Sequence, residues 1–483
     1  MNNLRGRASN ALFWDLFGNY GGQLSSFIIS IFLARLLSPS EFGLVGMSLV
    51  FIGMLEIFKD MGFATALIQN ENNTSLTYSS VFYLNVIAGI ILTVLIYISA
   101  PWIAEFFNNQ AITELVRLLS FTFFLSSFNI VQATILSKKL DFKSLTYRNL
   151  IAQISAGCIA IGFAFYGYGV YALVIQQIIG AIVSTILLWK LSDWKPKLEF
   201  SWKELKKLSS FSIYVFAASS VNKIIQQMDT LIIGKLFSPA ILGYFTRANS
   251  LNKLVIQNSS SSISKIFFPT LALVKNEPKR FERIYLKVIN IVSTISIFLT
   301  AVFFLIGEEL IIGLFGSKWQ LSIPIFQILI LKGFTFPVSA MIVNAFLAKG
   351  KSKANFHYGN IRKVLQLIPF IFAYFSGFYA FLYANVGVAF LAWILNNLLA
   401  KISLNISLKE QFLAVVPHLF FAFLFVFVII YFLPNEFSYF WAIVKVIVFS
   451  LLFLTFLKIS KSPILLEGNL LIDKLKKRLN LVR

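Results

Sequence analysis

The stretch RLLSPSEFG at residues 35–43 returns as KLFSPAILG at residues 235–243. In both copies a Ser-Pro pair stands between two long apolar runs, and a glycine follows the proline by four residues. Ser-Pro favours a turn and proline suits the first turn of a helix, so each copy predicts the end of one helix and the start of another. A looser match pairs residues 136–149 with residues 347–360. The sequence therefore predicts an internal repeat with a displacement of 200 to 211 residues.

The composition predicts the environment of these apolar runs. Hydrophobic residues make up 58% of the 483 residues and charged residues only 13%. A soluble domain has about 25% charged residues, so the composition excludes a soluble enzyme, a secreted disulfide scaffold and a nucleic-acid-binding protein. The runs are about 20 residues long, as membrane-spanning helices are, and they lack the alternation of barrel strands. About fourteen such spans lie at residues 11–36, 41–69, 78–100, 112–137, 147–166, 170–190, 210–236, 240–272, 282–306, 322–348, 355–379, 382–405, 411–433 and 437–457.

The basic residues predict how the spans are oriented. The net charge is +22, and with the N-terminus inside, most basic residues between spans fall on cytoplasmic segments, as the positive-inside rule requires. The outside segments keep only Arg35, Arg117, Lys235 and Lys318. We therefore expect a multi-pass protein with both termini in the cytoplasm. The inside segment WKELKKL at residues 202–208 is basic and amphipathic, and we expect it to lie on the inner leaflet.

The repeat and the spans together predict the parts of an all-α polytopic membrane protein. A displacement of six spans is even, so the two halves run parallel. We expect an N-lobe of helices 1–6 at residues 1–200 and a C-lobe of helices 7–12 at residues 201–408. Helices 13 and 14 and a basic cytoplasmic tail then occupy residues 409–483. Parallel repeats in transporters bind the substrate between two bundles that rock against each other.

Several spans carry polar side chains, which are costly in hydrocarbon and therefore predict a hydrated cavity. Four cations without an acid within a turn of their own helix are predicted to bind substrate: Lys223, Arg247, Lys253 and Lys332. The amides predicted to line the cavity are Asn19, Gln23, Asn222, Gln226, Asn249, Asn252 and Gln257. The acids available for ion coupling are Asp15, Glu56, Asp60 and Asp229. An alternative interpretation is that these residues only pair within the protein, as Glu56 and Lys59 do at helical spacing.

The sequence shows no signal of a reaction centre. Its single cysteine, Cys158, excludes an internal disulfide, and His357 and His418 are too few and too far apart for a metal site. Neither a Gly-rich nucleotide loop nor a nucleophile elbow is present. We therefore expect no catalytic residue, no metal and no cofactor.

The strings RLLSPSEFG at 35–43 and DTLIIGK at 229–235, with the layout of six, six and two helices, resemble the Wzx-type polysaccharide flippases of the MOP superfamily. The likeness is closest to the WzxC-like group of the polysaccharide transporter family and covers essentially the whole chain. It implies movement of an undecaprenyl-pyrophosphate-linked oligosaccharide across the bacterial inner membrane by alternating access, for surface polysaccharides such as the O-antigen of lipopolysaccharide. It also implies coupling to H⁺ or Na⁺, contact with membrane lipids, and a polysaccharide polymerase and glycosyltransferases as partners.

Three alternatives remain open from the sequence. A multidrug or cation antiporter of the same superfamily would favour a smaller, more acidic and aromatic pocket, whereas the intramembrane excess here is basic. A membrane-embedded polysaccharide polymerase or glycosyltransferase would need a large external loop with carboxylates, whereas the longest outside loop has about fifteen residues. The third alternative is a transporter of the same superfamily whose substrate is a lipid-linked cell-wall precursor. The sequence selects neither the sugar repeat nor the coupling ion.

Overall fold

The computed structural model describes residues 2–434 and 436–465, with side chains at all of these positions except 2–9, 255 and 257–262. The predicted basic tail beyond residue 465 therefore lies outside the described residues. Helix accounts for 85% of the structure, and no strand occurs in the part described, which confirms the all-α fold class. The helices are α1 (Asn2–Leu36), α2 (Pro39–Leu55), α3 (Phe63–Gln69), α4 (Ser75–Phe106), α5 (Ala111–Ser127), α6 (Ile130–Lys138), α7 (Phe142–Phe165), α8 (Tyr171–Leu191), α9 (Trp202–Leu236), α10 (Pro239–Leu273), α11 (Pro278–Leu305), α12 (Gly307–Phe315), α13 (Ser322–Ile330), α14 (Thr335–Ala348), α15 (Ser352–Leu365), α16 (Ile368–Ser376), α17 (Phe378–Leu404), α18 (Leu408–Leu413), α19 (Val416–Phe432) and α20 (Tyr439–Ile459).

Fewer helices qualify as membrane spans by length and hydropathy than the sequence predicts. Among the described residues, ten helical segments are long and apolar enough to cross a membrane, and α5 with α6, bent by 44°, makes an eleventh. The predicted count of about fourteen is therefore not confirmed. The three predicted spans that are not among these eleven coincide with α1, α10 and the α15–α16 pair. Of these, α1 and α10 are helices on which the sequence places long polar stripes.

The chain divides into two compact units, Met1–Gly243 and Tyr244–Arg483. In unit 1, α7 packs against both α1 and α8, α4 packs against α5, and α9 contacts α2, α3 and α4. In unit 2, α11 contacts α13, α14, α19 and α20, while α17 packs on α14 and α16. The predicted lobe boundaries at residues 200 and 408 remain a prediction.

The amphipathic segment 202–208 packs partly on protein, and its position on the inner leaflet remains a prediction. It forms the first two turns of the long helix α9, and its leucines Leu205 and Leu208 are buried in a core with Phe63, Leu67 and Val81. The two leucines therefore pack on protein, while Trp202 at the start of the segment is 71% exposed. Glu204 accepts a hydrogen bond from the Thr77 hydroxyl at 2.7 Å, which joins this end of α9 to α4.

The two Ser-Pro motifs fold in the same way, as the repeat predicts. Leu37 and Phe237 each end a helix through a backbone bond, Leu37 N–H to Leu33 C=O at 2.8 Å and Phe237 N–H to Ile233 C=O at 2.9 Å. Pro39 and Pro239 then begin α2 and α10. The Ser38 side chain accepts from the Glu41 N–H, and the Ser238 hydroxyl accepts from the Ile241 N–H at 3.4 Å. Both motifs are therefore helix caps of the kind that serine favours.

The glycines of the two motifs allow the starts of α2 and α10 to approach each other reciprocally. A Cβ on Gly43 would lie 1.7 Å from the Pro239 carbonyl oxygen, and a Cβ on Gly243 would lie 1.9 Å from that of Pro39. Backbone atoms cannot move aside as a flexible side chain can, so only glycine fits at either position. The spacing of proline and glycine is thus set by a backbone-to-backbone contact.

We predict that Gly43→Ala lowers the stability of the protein by about 1–3 kcal/mol, because the added methyl group overlaps the Pro239 backbone. The measurement is the thermal-unfolding midpoint of detergent-purified protein, followed by fluorescence. Gly162→Ala on α7 is the matched control, since its Cβ would meet nothing within 4 Å. Equal midpoints for the two variants would contradict the close contact.

Candidate functional site

A polar cleft lies in unit 1 between α1, α7 and α8. Its volume is about 520 Å³. Asn19 and Gln23, both predicted to line a cavity, are exposed there. The full lining is Gly18, Asn19, Gly22, Gln23, Ser26, Asn149, Ala152, Gln153, Gly180 and Ser184. We call this the amide cleft.

Hydrogen bonds from α7 to backbone carbonyls of α1 hold the amide cleft together. The Thr146 hydroxyl donates to the Trp14 carbonyl at 2.8 Å, and Gln153 Nε2 donates to the Gly22 carbonyl at 3.0 Å. The two helices come this close because Gly18 lacks a side chain: a Cβ there would lie 2.4 Å from Thr146 Oγ1. Polar groups on α7 thus find partners on α1, as polar groups in membrane helices require.

The acid Glu56 and the cation Lys223 form an ion pair in unit 1. Lys223 Nζ on α9 lies 3.2 Å from Glu56 Oε2, whereas the predicted partner Lys59 lies 4.0 Å from Glu56 Oε1. Lys59 instead donates to the Ser126 hydroxyl at 2.8 Å. Glu56 stands at the start of a 3₁₀ turn, Glu56–Lys59, that interrupts the second predicted span. A residue assigned to substrate binding and one assigned to ion coupling are therefore in contact.

The remaining predicted acids have separate positions. Asp60 Oδ1 accepts from the Ala64 N–H at 2.8 Å and so stabilises the start of α3, which follows a left-handed glycine, Gly62, at φ 81°. Asp15 on α1 and Asp229 on α9 are both half-buried. Neither is among the residues that line the amide cleft.

The polar stripe of α9 is only partly buried. Asn222 and Gln226 are exposed, and Lys223 keeps 35% of its side-chain surface exposed. Gln227, which the sequence analysis did not single out, contacts α2 so closely that a Cβ on Gly53 would lie 2.0 Å from its Nε2. The polar stripe of α9 therefore contacts α2 on one side and is exposed on the other.

Unit 2 buries Arg247, the first predicted cation of α10. Arg247 is 8% exposed, and its guanidinium lies over the rings of Phe315 at 5.1 Å and Trp319 at 5.4 Å. Such stacking is favourable for a desolvated arginine. Arg247 thus packs between aromatic rings, whereas Lys253, further along α10, is exposed.

The amides of α10 differ in their surroundings. Asn252 is 4% exposed and its Nδ2 donates to the Leu329 carbonyl at 3.5 Å, while its Oδ1 is buried without a hydrogen-bond partner. Asn249 is half-buried. The side chain of Gln257 lies outside the described residues.

The fourth predicted cation, Lys332, lies in a break between two helices. Residues 331–334 form a turn between α13 and α14 within the predicted span 322–348, and Lys332 Nζ donates to Asn385 Oδ1 on α17. The Lys332 carbonyl accepts from the Thr335 hydroxyl at 2.7 Å. Broken helices in membranes occur where polar groups satisfy the freed backbone.

The structure brings some predicted residues together and adds others. Asn19 and Gln23 share the amide cleft, and Glu56 contacts Lys223. The sequence did not single out Gln153 and Ser184, because they stand in apolar runs, or Asn149, because it follows Arg148 at the polar start of a predicted span. The signal that could have identified two of them is the helical spacing of Asn149 and Gln153. Within the described residues, no group of three or more His, Cys, Asp or Glu side chains is placed to hold a metal ion.

We predict that the Glu56–Lys223 pair contributes about 0.2–1 kcal/mol, since both side chains are substantially exposed. Lys223→Glu and Glu56→Lys should each lower the unfolding midpoint, and the double swap should restore it. A double-mutant cycle on thermal unfolding measures this coupling. Lys203→Glu, an exposed reversal on the same helix, is the control; strictly additive effects of Lys223→Glu and Glu56→Lys would show that the pair has no energetic role.

The fold is similar to that of solved membrane transporters. The inward closed structure of the lipid II flippase MurJ superposes with a TM-score of 0.73, covering 93% of this chain and 98% of that chain at 16% identity. An inward-facing multidrug resistance MATE family transporter of the MOP superfamily gives a TM-score of 0.62, covering 80% and 96% at 17% identity. The chain therefore has the fold of these transporters.

The names of the sequence relatives refer to polysaccharide biosynthesis. The teichuronic acid biosynthesis protein TuaB of Bacillus subtilis is 26% identical over 63% of this chain and 63% of its own length. The lipopolysaccharide biosynthesis protein WzxC of Escherichia coli is 22% identical over 70% and 69%, respectively. The match thus spans slightly less than two thirds of the length of TuaB. The resemblance to WzxC-like proteins is confirmed by these relatives.

The family assignment rests on a family model that matches more than half of the chain. A family model described as polysaccharide biosynthesis protein matches residues 32–324, which is more than half of the chain. The match begins just before the first Ser-Pro motif and includes the second one, as well as α9 and α10 with their polar stripes. The chain belongs to the polysaccharide biosynthesis protein family.

Proposed function

We propose that this protein is a flippase. Its substrate is an undecaprenyl-pyrophosphate-linked oligosaccharide repeat unit, which it moves across the bacterial inner membrane by alternating access for the synthesis of a surface polysaccharide. The observation that carries the proposal is the family match over residues 32–324 in a chain whose fold is that of a lipid flippase. Relatives named for teichuronic acid and lipopolysaccharide synthesis support a glycan rather than a drug as the substrate.

The cations on membrane helices fit the charged part of such a substrate. Lys253 is exposed on α10, and Lys223 is held by Glu56 at 3.2 Å with part of its ammonium-bearing side chain exposed. A pyrophosphate carries more negative charge than one carboxylate and would compete with Glu56 for Lys223. In this proposal Lys223 offers a cation to phosphate in unit 1, and Lys253 and Lys332 do so in unit 2. Arg247, packed between Phe315 and Trp319, positions α10.

The energy source belongs to the same proposal. Coupling to H⁺ or Na⁺ would use Asp15, Glu56, Asp60 or Asp229, since these acids lie away from the ends of the predicted spans. Glu56 has the favourable position, because a proton or cation that neutralises it would release Lys223 for the substrate. The polysaccharide polymerase would consume the flipped lipid and glycosyltransferases would supply it. Both termini would face the cytoplasm, as the positive-inside rule requires.

The alternatives receive less support. The MATE transporter shares the fold, so a multidrug antiporter is compatible with the architecture. Its likeness is in fold alone, however, whereas the family match carries the description of polysaccharide biosynthesis. The solved neighbours are transporters and flippases rather than enzymes, which argues against a polymerase or glycosyltransferase.

We predict that Lys253→Ala lowers the surface polysaccharide of the producing cells at least about tenfold, because one charged hydrogen bond to the pyrophosphate contributes about 1.5–3 kcal/mol. Lipid-linked oligosaccharide should accumulate in the membrane at the same time. The measurement combines quantification of cell-surface glycan with thin-layer analysis of extracted lipids, at matched membrane abundance of the protein.

Lys203→Ala is the control for this experiment, since Lys203 is exposed in the first turn of α9, outside the predicted span. It should leave both readouts unchanged. Normal glycan export with Lys253→Ala would remove Lys253 from the proposed site. Normal export after deletion of the whole gene would reject the flippase function.

A further inference from the structure

The amide cleft of unit 1 differs from the proposed phosphate-binding lysines because its lining is uncharged. Four of its ten lining residues are amides, Asn19, Gln23, Asn149 and Gln153, and two are serines, Ser26 and Ser184. None of the ten is charged. An amide offers two donors and a carbonyl acceptor, and a hydroxyl offers both roles. The lining therefore suits a neutral ligand that both donates and accepts hydrogen bonds.

Two groups in the cleft have their hydrogen-bonding roles fixed by the protein. Arg148 Nη1 donates to Ser184 Oγ at 3.0 Å, so the Ser184 hydroxyl hydrogen points elsewhere and is available to a ligand. Gln153 uses an Nε2 hydrogen on the Gly22 carbonyl at 3.0 Å, which leaves its Oε1 as an acceptor. Ser184 thus presents a donor and Gln153 an acceptor. One alcohol group satisfies both, because it donates one hydrogen bond and accepts another.

An aromatic pair stands about one helical turn from the polar lining. The rings of Trp14 and Tyr147 are 5.5 Å apart, and Tyr147 is 46% exposed. Trp14 precedes Gly18 by four residues on α1, and Tyr147 precedes Asn149 by two on α7. Aromatic rings offer an apolar face beside polar groups, and a sugar ring likewise has an apolar C–H face and a rim of hydroxyls. Lys143 Nζ lies 5.7 Å from the Trp14 ring centroid.

The same lining disfavours charged ligands. A phosphate group is bound by Arg or Lys, and none of the ten lining residues is an Arg or a Lys. Protein sites for metal cations usually contain carboxylates, and the lining holds none. Asp15 lies one turn before Asn19 on α1, outside the lining.

We propose that the amide cleft is the subsite for the sugar part of the substrate. It binds a neutral saccharide through its hydroxyl groups, with Asn149, Gln153 and Ser184 as direct contacts and Trp14 with Tyr147 as a stacking surface. This inference rests on the proposed function, because it assigns the glycan of the lipid-linked substrate to unit 1. It assigns residues of α7 and α8 to the sugar, whereas the cations named above are assigned to the pyrophosphate alone.

Binding to two lipids tests the proposal. The full-length protein in nanodiscs is titrated with undecaprenyl pyrophosphate that bears no sugar, and with the undecaprenyl-pyrophosphate-linked oligosaccharide extracted from the producing cells. We expect the wild type to bind the glycosylated lipid at least about tenfold more tightly, a difference typical of one or two good hydrogen bonds. Asn149→Ala and Ser184→Ala should each reduce this preference severalfold and leave the affinity for the bare lipid unchanged.

Ser155→Ala on α7 is the matched control, since the Ser155 hydroxyl donates to the Ile151 carbonyl of its own helix and Ser155 is not in the lining. It should bind both lipids as the wild type does. Thermal unfolding of each variant confirms folding. Ser184→Ala removes the oxygen that accepts from Arg148, whereas Asn149 is exposed. Asn149→Ala therefore keeps the test valid if Ser184→Ala disturbs the fold.

The outcomes separate the two proposals. If the wild type prefers the glycosylated lipid and both cleft variants keep that preference, the sugar subsite is wrong while the flippase function stands. If the variants weaken binding of both lipids equally, the cleft contacts the pyrophosphate and the saccharide assignment is overturned. A wild type that binds both lipids equally also overturns the subsite. A wild type that binds neither lipid contradicts the proposed function itself.

Discussion

Polar side chains on helices that cross a membrane must meet another protein group or water, because hydrocarbon offers no hydrogen bond. This constraint accounts for the main features of both units. In unit 1, Gln153 and Thr146 bond to carbonyls of α1, and Glu56 pairs with Lys223. In unit 2, Lys332 bonds to Asn385. The polar residues that remain exposed on these helices are then the ones available to a substrate.

The breaks in the helices follow from the same constraint. A 3₁₀ turn at Glu56–Lys59 interrupts the second predicted span, and a turn at residues 331–334 interrupts the tenth. Each break contains a lysine that donates to a side-chain oxygen of a neighbouring helix: Lys59 to Ser126, and Lys332 to Asn385. Discontinuous helices of this kind form binding sites in transporters. A break that carries a cation is therefore consistent with a substrate that carries phosphate.

Local sequence signals predicted much of the fold. The fourteen apolar windows coincide with helices or helix pairs because hydrophobic runs report burial in lipid or protein directly. The Ser-Pro motifs predicted the helix starts at Pro39 and Pro239, since capping depends on residues within one turn. The class of the protein followed from composition alone.

Contacts between distant residues were not predictable from one sequence. Glu56 is 167 residues from its partner Lys223, and no local pattern joins them. The sequence predicted Arg247 as a cavity cation because its own helix offers no acid. In the structure Phe315 and Trp319, which belong to the segment after α11, pack against its guanidinium. The leucines at the start of α9 resembled a surface anchor, but α3 and α4 cover them. In each case the deciding neighbour lies on another helix.

Transfer of the lipid between leaflets is the central claim, and a reconstituted system measures it directly. Purified protein is incorporated into liposomes that contain lipid-linked oligosaccharide labelled on its sugar with a nitrobenzoxadiazole fluorophore, and impermeant dithionite is added outside. We expect nearly all of the fluorescence to be lost with the protein present, because sugars from the inner leaflet reach the outside. Loss of only the outer-leaflet half, as in protein-free liposomes, under both zero and imposed ion gradients would contradict this claim.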